Sequence, residues 1–332
     1  MPGNPRPDIW VSRVEASRHT NGTAFATVTG HRFAIYKPFV YKTTDFGKTW
    51  TNITNNLPDG HPMYVVKQDL KNPDLLFAGS EFAAFYSMNG GQSWQRLNNN
   101  LPTVAVHDLI IHPRDGDLIA GTHGRGLWIM DDITALQQMT PAVRGAAAHL
   151  FENRVATKWL NLQPQNDGGE IAFIGPNPSR NAAINYYLSD RIAGEVKFEV
   201  SDAAGRNTCT ASFPAKSGIG RVEWAMRWST PAAPAGGPGD AVGAAGAGAA
   251  VAGGGRGAGS GRGGGGGACL LPPNAAPAGG GRGGGGGGFG RGGGGGATVA
   301  PGTYRVTMTA NGTTYTSSVT VRADPMLAEI NR

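Results

Sequence analysis

The sequence has no run of the roughly 20 apolar residues that a membrane span requires, and residues 1–20 lack the apolar stretch of a signal peptide. Charge is sparse, at 16% of residues and a net +6. Arg256, Arg262, Arg282 and Arg291, set against Asp240 alone, place half of that excess in one glycine-rich stretch. The remainder is too mildly basic for a dedicated nucleic-acid surface. No His/Cys group has metal-ligand spacing. Neither a Gly-x-Ser-x-Gly elbow nor a phosphate loop occurs, so no metal and no cofactor is expected. The two cysteines, Cys209 and Cys269, say nothing by themselves about redox compartment.

Glycine is what the chain has in excess, with 54 of 332 residues. Residues 231–297 are mostly Gly and Ala and cannot bury enough apolar surface to offset chain entropy, so this segment is expected to be a disordered insertion. Loop-closure cost grows only with the logarithm of length, which makes such an insertion tolerable between two strands. Its Arg-Gly spacing invites an RNA-binding reading, but Phe289 is its one aromatic residue, which favours an expanded low-complexity loop.

The rest is patterned. Thr43-Thr44-Asp45-Phe46-Gly47-Lys48-Thr49-Trp50 is echoed by Ser87-Met88-Asn89-Gly90-Gly91-Gln92-Ser93-Trp94. Both read as hydroxyl, any, Asp or Asn, any, Gly, any, hydroxyl, Trp. Each follows an alternating apolar run and precedes a short strand, as a hairpin turn would. The acid or amide can bind backbone N–H groups across the turn, Gly supplies positive φ, and Trp can plug the gap between sheets. The repeat is wider than the turn: Leu57-Pro58 and Leu101-Pro102 are also 44 residues apart. Leu76 to Ser80 aligns with Leu118 to Thr122 at a spacing of 42, which puts Phe85-Tyr86 on Leu127-Trp128 and Asn89 on Asp131. Units of 40–45 residues with about four short strands are the signature of propeller blades. Three units are readable, and the third lacks a complete turn motif.

These residues resemble the Asp-box repeats of sialidases, sortilin and several glycoside hydrolase propellers. Val40 to Trp50, Asn100-Leu101-Pro102 and Thr122-His123-Gly124-Arg125-Gly126-Leu127-Trp128-Ile129-Met130-Asp131-Asp132 are similar to the closing blades of a sortilin-type propeller. Beyond residue 169 the pattern becomes about seven short strands in roughly 90 residues, which suggests an immunoglobulin-like sandwich. Pro301-Gly302-Thr303-Tyr304-Arg305-Val306 with Ala310-Asn311-Gly312 resembles the end of the small domain of flagellar-hook capping proteins. The expected fold is all-β: a partial β-propeller of about three blades over 1–138, a connector over 139–168, and a sandwich over 169–230 and 298–325. Pro141 to Leu162 reads as that connector, and Glu170 to Ile174 and Arg221 to Trp228 read as strands. The resemblance implies an exported protein, secreted or periplasmic, and therefore a C-terminal piece of a longer one. In an exported protein Cys209 and Cys269 become a candidate pair, docking the island Cys269-Leu270-Leu271-Pro272-Pro273 on the sandwich.

In such blades the turns holding Thr43, Asp45, Gly47, Thr49 and Trp50, and Ser87, Asn89, Gly91, Ser93 and Trp94, are structural. The opposite rim gathers His31, Arg32 and Lys37, Asp59 and His61, Glu81, and His123 and Arg125. Of these, His31, Arg32, Glu81, His123 and Arg125 are the ligand-face candidates, because propellers bind at this loop-rich mouth. Thr122-His123-Gly124-Arg125-Gly126 is read first as a tight turn bonded to the neighbouring blade. Glu81 has no second carboxylate assignable to it, and glycoside hydrolysis needs two. The expected function is a protein, peptide or glycan binding module whose partners include missing N-terminal blades or a partner chain. The alternative is a glycoside hydrolase with its catalytic residues in upstream blades.

Overall fold

The computed structural model describes residue 6 and residues 8–97, 100–159, 179–229, 268–272 and 297–327. The strand expected over Glu170 to Ile174 and nearly all of the insertion 231–297 lie outside the described residues.

Residues 10–130 form three antiparallel meanders. Blade A contains β1 (Trp10–Ala16), β2 (Ala24–Thr29), β3 (Val40–Thr43) and β4 (Thr51–Asn52), paired in sequence order. Blade B repeats it with β5 (Met63–Gln68), β6 (Leu76–Ser80), β7 (Ala84–Ser87) and β8 (Gln95–Arg96). Blade C has three strands: β9 (Val106–Ile111), β10 (Leu118–Thr122) and β11 (Leu127–Met130). Alternation of apolar and polar residues makes these segments strands, and turns such as Asn21-Gly22, with Gly22 at φ +79°, close them.

The first strands stand side by side, as the inner strands of a propeller do. Ser12 on β1 donates to the Met63 carbonyl on β5, at 2.9 Å. Lys67 on β5 pairs with Glu15 on β1 at 2.7 Å, and Arg13 reaches Asp108 on β9 at 2.6 Å. Apolar seams join the blades. Phe25, Val40, Ile53, Met63, Leu76 and Phe85 fill the A–B seam. Val65, Phe77, Val106, Leu109 and Leu118 fill the B–C seam.

The third repeat changes course after β11. Asp132 sits at φ +60°, where blade A has Phe46 at +60° and blade B has Gly90 at +67°. The chain does not turn back into a fourth strand. It enters two short helices, α1 (Thr134–Gln137) and α2 (Pro141–Gly145), the second capped by the Thr140 hydroxyl. Two strands follow within the stretch read as a connector: β12 (Ala148–Leu150) and β13 (Ala156–Lys158).

Both strands belong to a two-sheet sandwich with β14 (Ala182–Leu188), β15 (Glu195–Ser201), β16 (Thr208–Pro214), β17 (Gly218–Trp224), β18 (Leu270–Leu271), β19 (Gly302–Ala310) and β20 (Thr313–Ala323). The sheet orders are β12-β14-β17-β18 and β13-β20-β19-β15-β16. The expected strand over Arg221 to Trp228 ends earlier, at Trp224, and begins at Gly218. Tyr186, Phe198, Val222, Trp224, Val306 and Met308 lie in the core between the sheets. Cys209 and Cys269 are disulfide-bonded across a separation of 60 residues, and Leu270 and Leu271 pair with Trp224 and Glu223. On the chain-entropy estimate, closing a loop of that length stabilises by about 4 kcal/mol.

A polar joint fixes the sandwich to blade C. The buried Asp132 carboxylate accepts from Thr134 N and Oγ1 and from Asn185 Nδ2. Arg221 donates to the carbonyls of Asp131 and Asp132 and, through Nε, to Asn185. Arg154 bonds Asp117 at 3.0 Å. Asp132, Arg154 and Arg221 each have partners in the joint, which burial of a charge requires.

Candidate functional site

The two hairpin turns are built from the same atoms. In blade A, Asp45 accepts from Thr49 N and Oγ1, and Thr43 Oγ1 accepts from Gly47 N while donating to Asp45. These bonds from Thr49, side chain first, hold the Asp45 carboxyl below the usual carboxylate range. In blade B, Asn89 accepts from Ser93 N and donates to Ser93 Oγ, and Ser87 Oγ accepts from Gly91 N. The indoles differ. Trp94 is buried and donates to the Ile53 carbonyl of blade A, which seals the seam. Trp50 is half-buried and donates to Gly47 in its own turn. The expected plug therefore exists for Trp94 alone.

At the opposite rim, three of the expected loops meet two inner strands. His31 lies in a 3-10 turn after β2, held by Thr29 Oγ1 at 3.2 Å. Its ring is 6.2 Å from Tyr64, edge-on. Tyr64, on β5, lies 4.3 Å from the His107 ring, on β9, and His107 lies 5.3 Å from His123. Glu81, in the β6–β7 turn, accepts a short hydrogen bond from the Tyr64 hydroxyl, and its own N–H bonds the Pro62 carbonyl. The result is a continuous row, His31–Tyr64–His107–His123, with one carboxylate behind it. Burial, reinforced by the Glu81 carboxylate, pushes the Tyr64 phenol well above its ordinary pKa.

Arg32 is not in the row. Its guanidinium lies over the Trp10 ring, 4.0 Å from the centroid. Arg125 is exposed, and its carbonyl accepts the Trp128 indole N–H. Residues 122–126 form a tight turn, in which Thr122 N and Oγ1 both bond the Gly126 carbonyl, but the expected bond to a neighbouring blade is replaced by one within blade C, from His123 N to the Ala105 carbonyl. His61 faces the A–B seam, bonded to Ser80 and edge-on to Phe82 and Phe85, with burial lowering its pKa.

Sequence reasoning missed Tyr64 and His107. Both sit on inner strands, where period-2 alternation assigns a face but cannot distinguish the channel from a seam. The one available signal was an aromatic and a histidine at comparable places in successive first strands, within Met63–Gln68 and Val106–Ile111.

No group of three or more His, Cys, Asp or Glu residues among the described residues could hold a metal ion. No described helix is long and apolar enough to cross a membrane. No protein-family model matches the chain, and neither does any curated protein. Among solved structures the chain is similar to the GH74 xyloglucanase from Xanthomonas campestris, at 19% identity over 40% of this chain and 22% of that one, with a TM-score of 0.31. It is similar to the GH74 enzyme from Niastella koreensis, at 13% identity over 61% and 28%, TM-score 0.31. It is also similar to YCF48 from Cyanidioschyzon merolae, at 12% identity over 69% and 70%, TM-score 0.25. The chain spans less than a third of the length of these GH74 enzymes. The fold itself rests on strand order, pairing and seams: three propeller-type blades joined to a β-sandwich.

Proposed function

We propose that this chain is the C-terminal part of an exported, sortilin-type Asp-box propeller followed by an immunoglobulin-like domain, and that it acts as a binding module for a protein, peptide or glycan. The observation that carries the reading is the state of the groups at the mouth. Two carboxylates beside the row are already engaged, Glu81 by Tyr64 and Asp108, next to His107, by Arg13. The Tyr64 phenol is shifted upward, the wrong direction for a nucleophile. What stays exposed are the His31, His107 and His123 rings, hydrogen-bonding and stacking surfaces suited to holding a ligand.

Further blades are part of this reading. Residues opposite each other in an antiparallel pair share a face, so Val11, Val14, Ala26, Val28 and Tyr41 lie on one face of blade A. Val11 and Val14 are 51% and 59% exposed there, and the buried Tyr41 hydroxyl has no partner among the described residues. On the outer face of blade C, Ile110 and Ile129 are 53% and 59% exposed. Contiguous apolar faces of this kind mark interaction surfaces, and additional blades would cover them.

A glycan array and a polysaccharide hydrolysis screen on the full-length protein test the reading. Saturable binding, weakened by His107→Ala without a change in melting temperature, is the expected result. Release of reducing sugar that disappears in Glu81→Gln would overturn it in favour of a glycoside hydrolase.

A further inference from the structure

The three inner strands share one irregularity. β1 pairs Val11 with Val28 and Arg13 with Thr27, which leaves Ser12 without an opposite residue. β5 repeats this around Tyr64, between Met63 and Val65, and β9 around His107, between Val106 and Asp108. Bulges of this kind re-aim a side chain and are common beside functional sites. The three bulged residues are not equally engaged. Ser12 bonds Thr27 Oγ1 and the Met63 carbonyl, and Tyr64 donates its hydroxyl hydrogen to Glu81. The His107 ring has no hydrogen-bond partner among the described residues.

His123 makes a pair with it. The turn that carries His123 is tied to the same stretch of β9, because Thr122 pairs with Val106 and His123 N donates to the Ala105 carbonyl. Each imidazole is thus held within two residues of a bond that joins the two backbones. Both rings are exposed, and their centroids are 5.3 Å apart with 44° between the planes. The other five of the chain's seven histidines are placed differently. His19, His31 and His61 bond Asp69, Thr29 and Ser80, His112 pairs with Asp115, and His149 lies edge-on to Phe151. Among the described residues, His107 and His123 alone are two neighbouring imidazoles with neither ring hydrogen-bonded.

That separation is the one a chelating pair needs. A metal ion bound about 2.0–2.1 Å from an imidazole nitrogen lies roughly 3.2 Å from the ring centroid, so a tetrahedral ion holds two centroids about 5 Å apart. Imidazole suits late first-row divalent ions, whereas Mg²⁺ and Ca²⁺ take oxygen donors. The carboxylates beside the pair are engaged, Glu81 by Tyr64 and Asp108 by Arg13. Two protein donors fill only half of a tetrahedral shell, which makes an open site rather than a structural one.

We propose that His107 and His123 chelate one late first-row divalent metal ion, Zn²⁺, Ni²⁺ or Cu²⁺, with the remaining coordination positions open to solvent at the mouth. The β9 bulge and the Tyr64 ring, 4.3 Å away, position the first imidazole, and the turn over residues 122–126 positions the second. The proposal does not rest on the mouth binding a protein, peptide or glycan.

The test is calorimetric titration of the intact, chelator-treated chain with ZnCl₂ alone, in a non-coordinating buffer near neutral pH. Zn²⁺ should saturate one site, and MgCl₂ should give no binding. His107→Gln and His123→Gln should each weaken Zn²⁺ binding about tenfold or more, because the second donor no longer acts intramolecularly. Both rings are exposed, so the melting temperature of the metal-free variants should hold. His149→Gln, which removes an imidazole that has no second one beside it, should leave Zn²⁺ binding unchanged. Wild-type NMR supplies a readout that needs no folded variant: the first equivalent of Zn²⁺ should shift two imidazoles of the seven together, those of His107 and His123. No saturable Zn²⁺ binding, an equal response to Mg²⁺, an equal loss in His149→Gln, or a first equivalent that shifts other imidazoles would each overturn the proposal.

Discussion

The turns of blades A and B share a sequence pattern and a hydrogen-bond plan, yet they do different things. Asp45 and Asn89 each accept the N–H of the hydroxyl residue four places on, and Thr43 and Ser87 each accept the N–H of the glycine. Past that point the neighbouring blade decides. Gly91 lies so close to blade A that an added Cβ would meet Ile53 Cδ1 at 2.7 Å, whereas a Cβ on Gly47 would meet only its own Trp50, at 3.8 Å. Trp94 bonds Ile53, and Trp50 bonds Gly47. Local sequence sets the turn; a packed neighbour turns it into a seal. The third repeat extends the contrast. There the left-handed position is kept by Asp132, but its carboxylate is buried against the sandwich.

The largest difference should appear on truncating the indoles. Trp94→Ala empties a buried aromatic site and strands the Ile53 carbonyl, so a loss of about 3–5 kcal/mol is expected in chemical denaturation. Trp50→Ala removes a half-exposed ring and should cost about 1–2 kcal/mol, the lower transfer value of partial burial. Equal losses would mean that both indoles seal seams.

The glycines come next. Gly91→Ala adds both left-handed strain and a clash with Ile53, for about 2–3 kcal/mol. Gly47→Ala adds the strain alone, about 1–2 kcal/mol. Comparable midpoints for the two variants would show the A–B seam to be looser than described.

The smallest contrast is in pH. Hydrogen bonds from Thr49 depress the Asp45 pKa below its ordinary 3.8, so the stability it contributes is complete above that value and fades as pH falls through the lowered one. Asn89 cannot titrate. Melting curves in acid should thus lose a component in Asp45→Asn and gain one of the same sign in Asn89→Asp. Identical acid profiles for wild type and Asp45→Asn would remove the Asp45 bonds from the account.

Much of the propeller part was legible in sequence because its signals are redundant: alternation, turn chemistry and spacing agree over Trp10–Met130. The sandwich was less so. β12 and β13 have three residues each, too few to display a period, and Gly218 and Gly220 hid the first half of β17. At the mouth, the loop residues His31, Glu81 and His123 were recognisable as polar groups in turns. Tyr64 and His107 were not, because whether a strand faces a channel is decided by the blades beside it. Arg32 could not be placed either, since its position depends on Trp10, an aromatic 22 residues away in sequence and close only in the fold.

The central claim is that blades A, B and C form an open arc with an apolar face at each end. Sedimentation velocity of the intact chain over a wide concentration range, beside the double variant Val14→Glu/Ile129→Glu, tests it most directly. The account predicts concentration-dependent self-association of the wild type and a monomeric, equally folded double variant, because a carboxylate on each face opposes its burial. A wild type that stays monomeric throughout, with the double variant indistinguishable from it, would contradict the open arc.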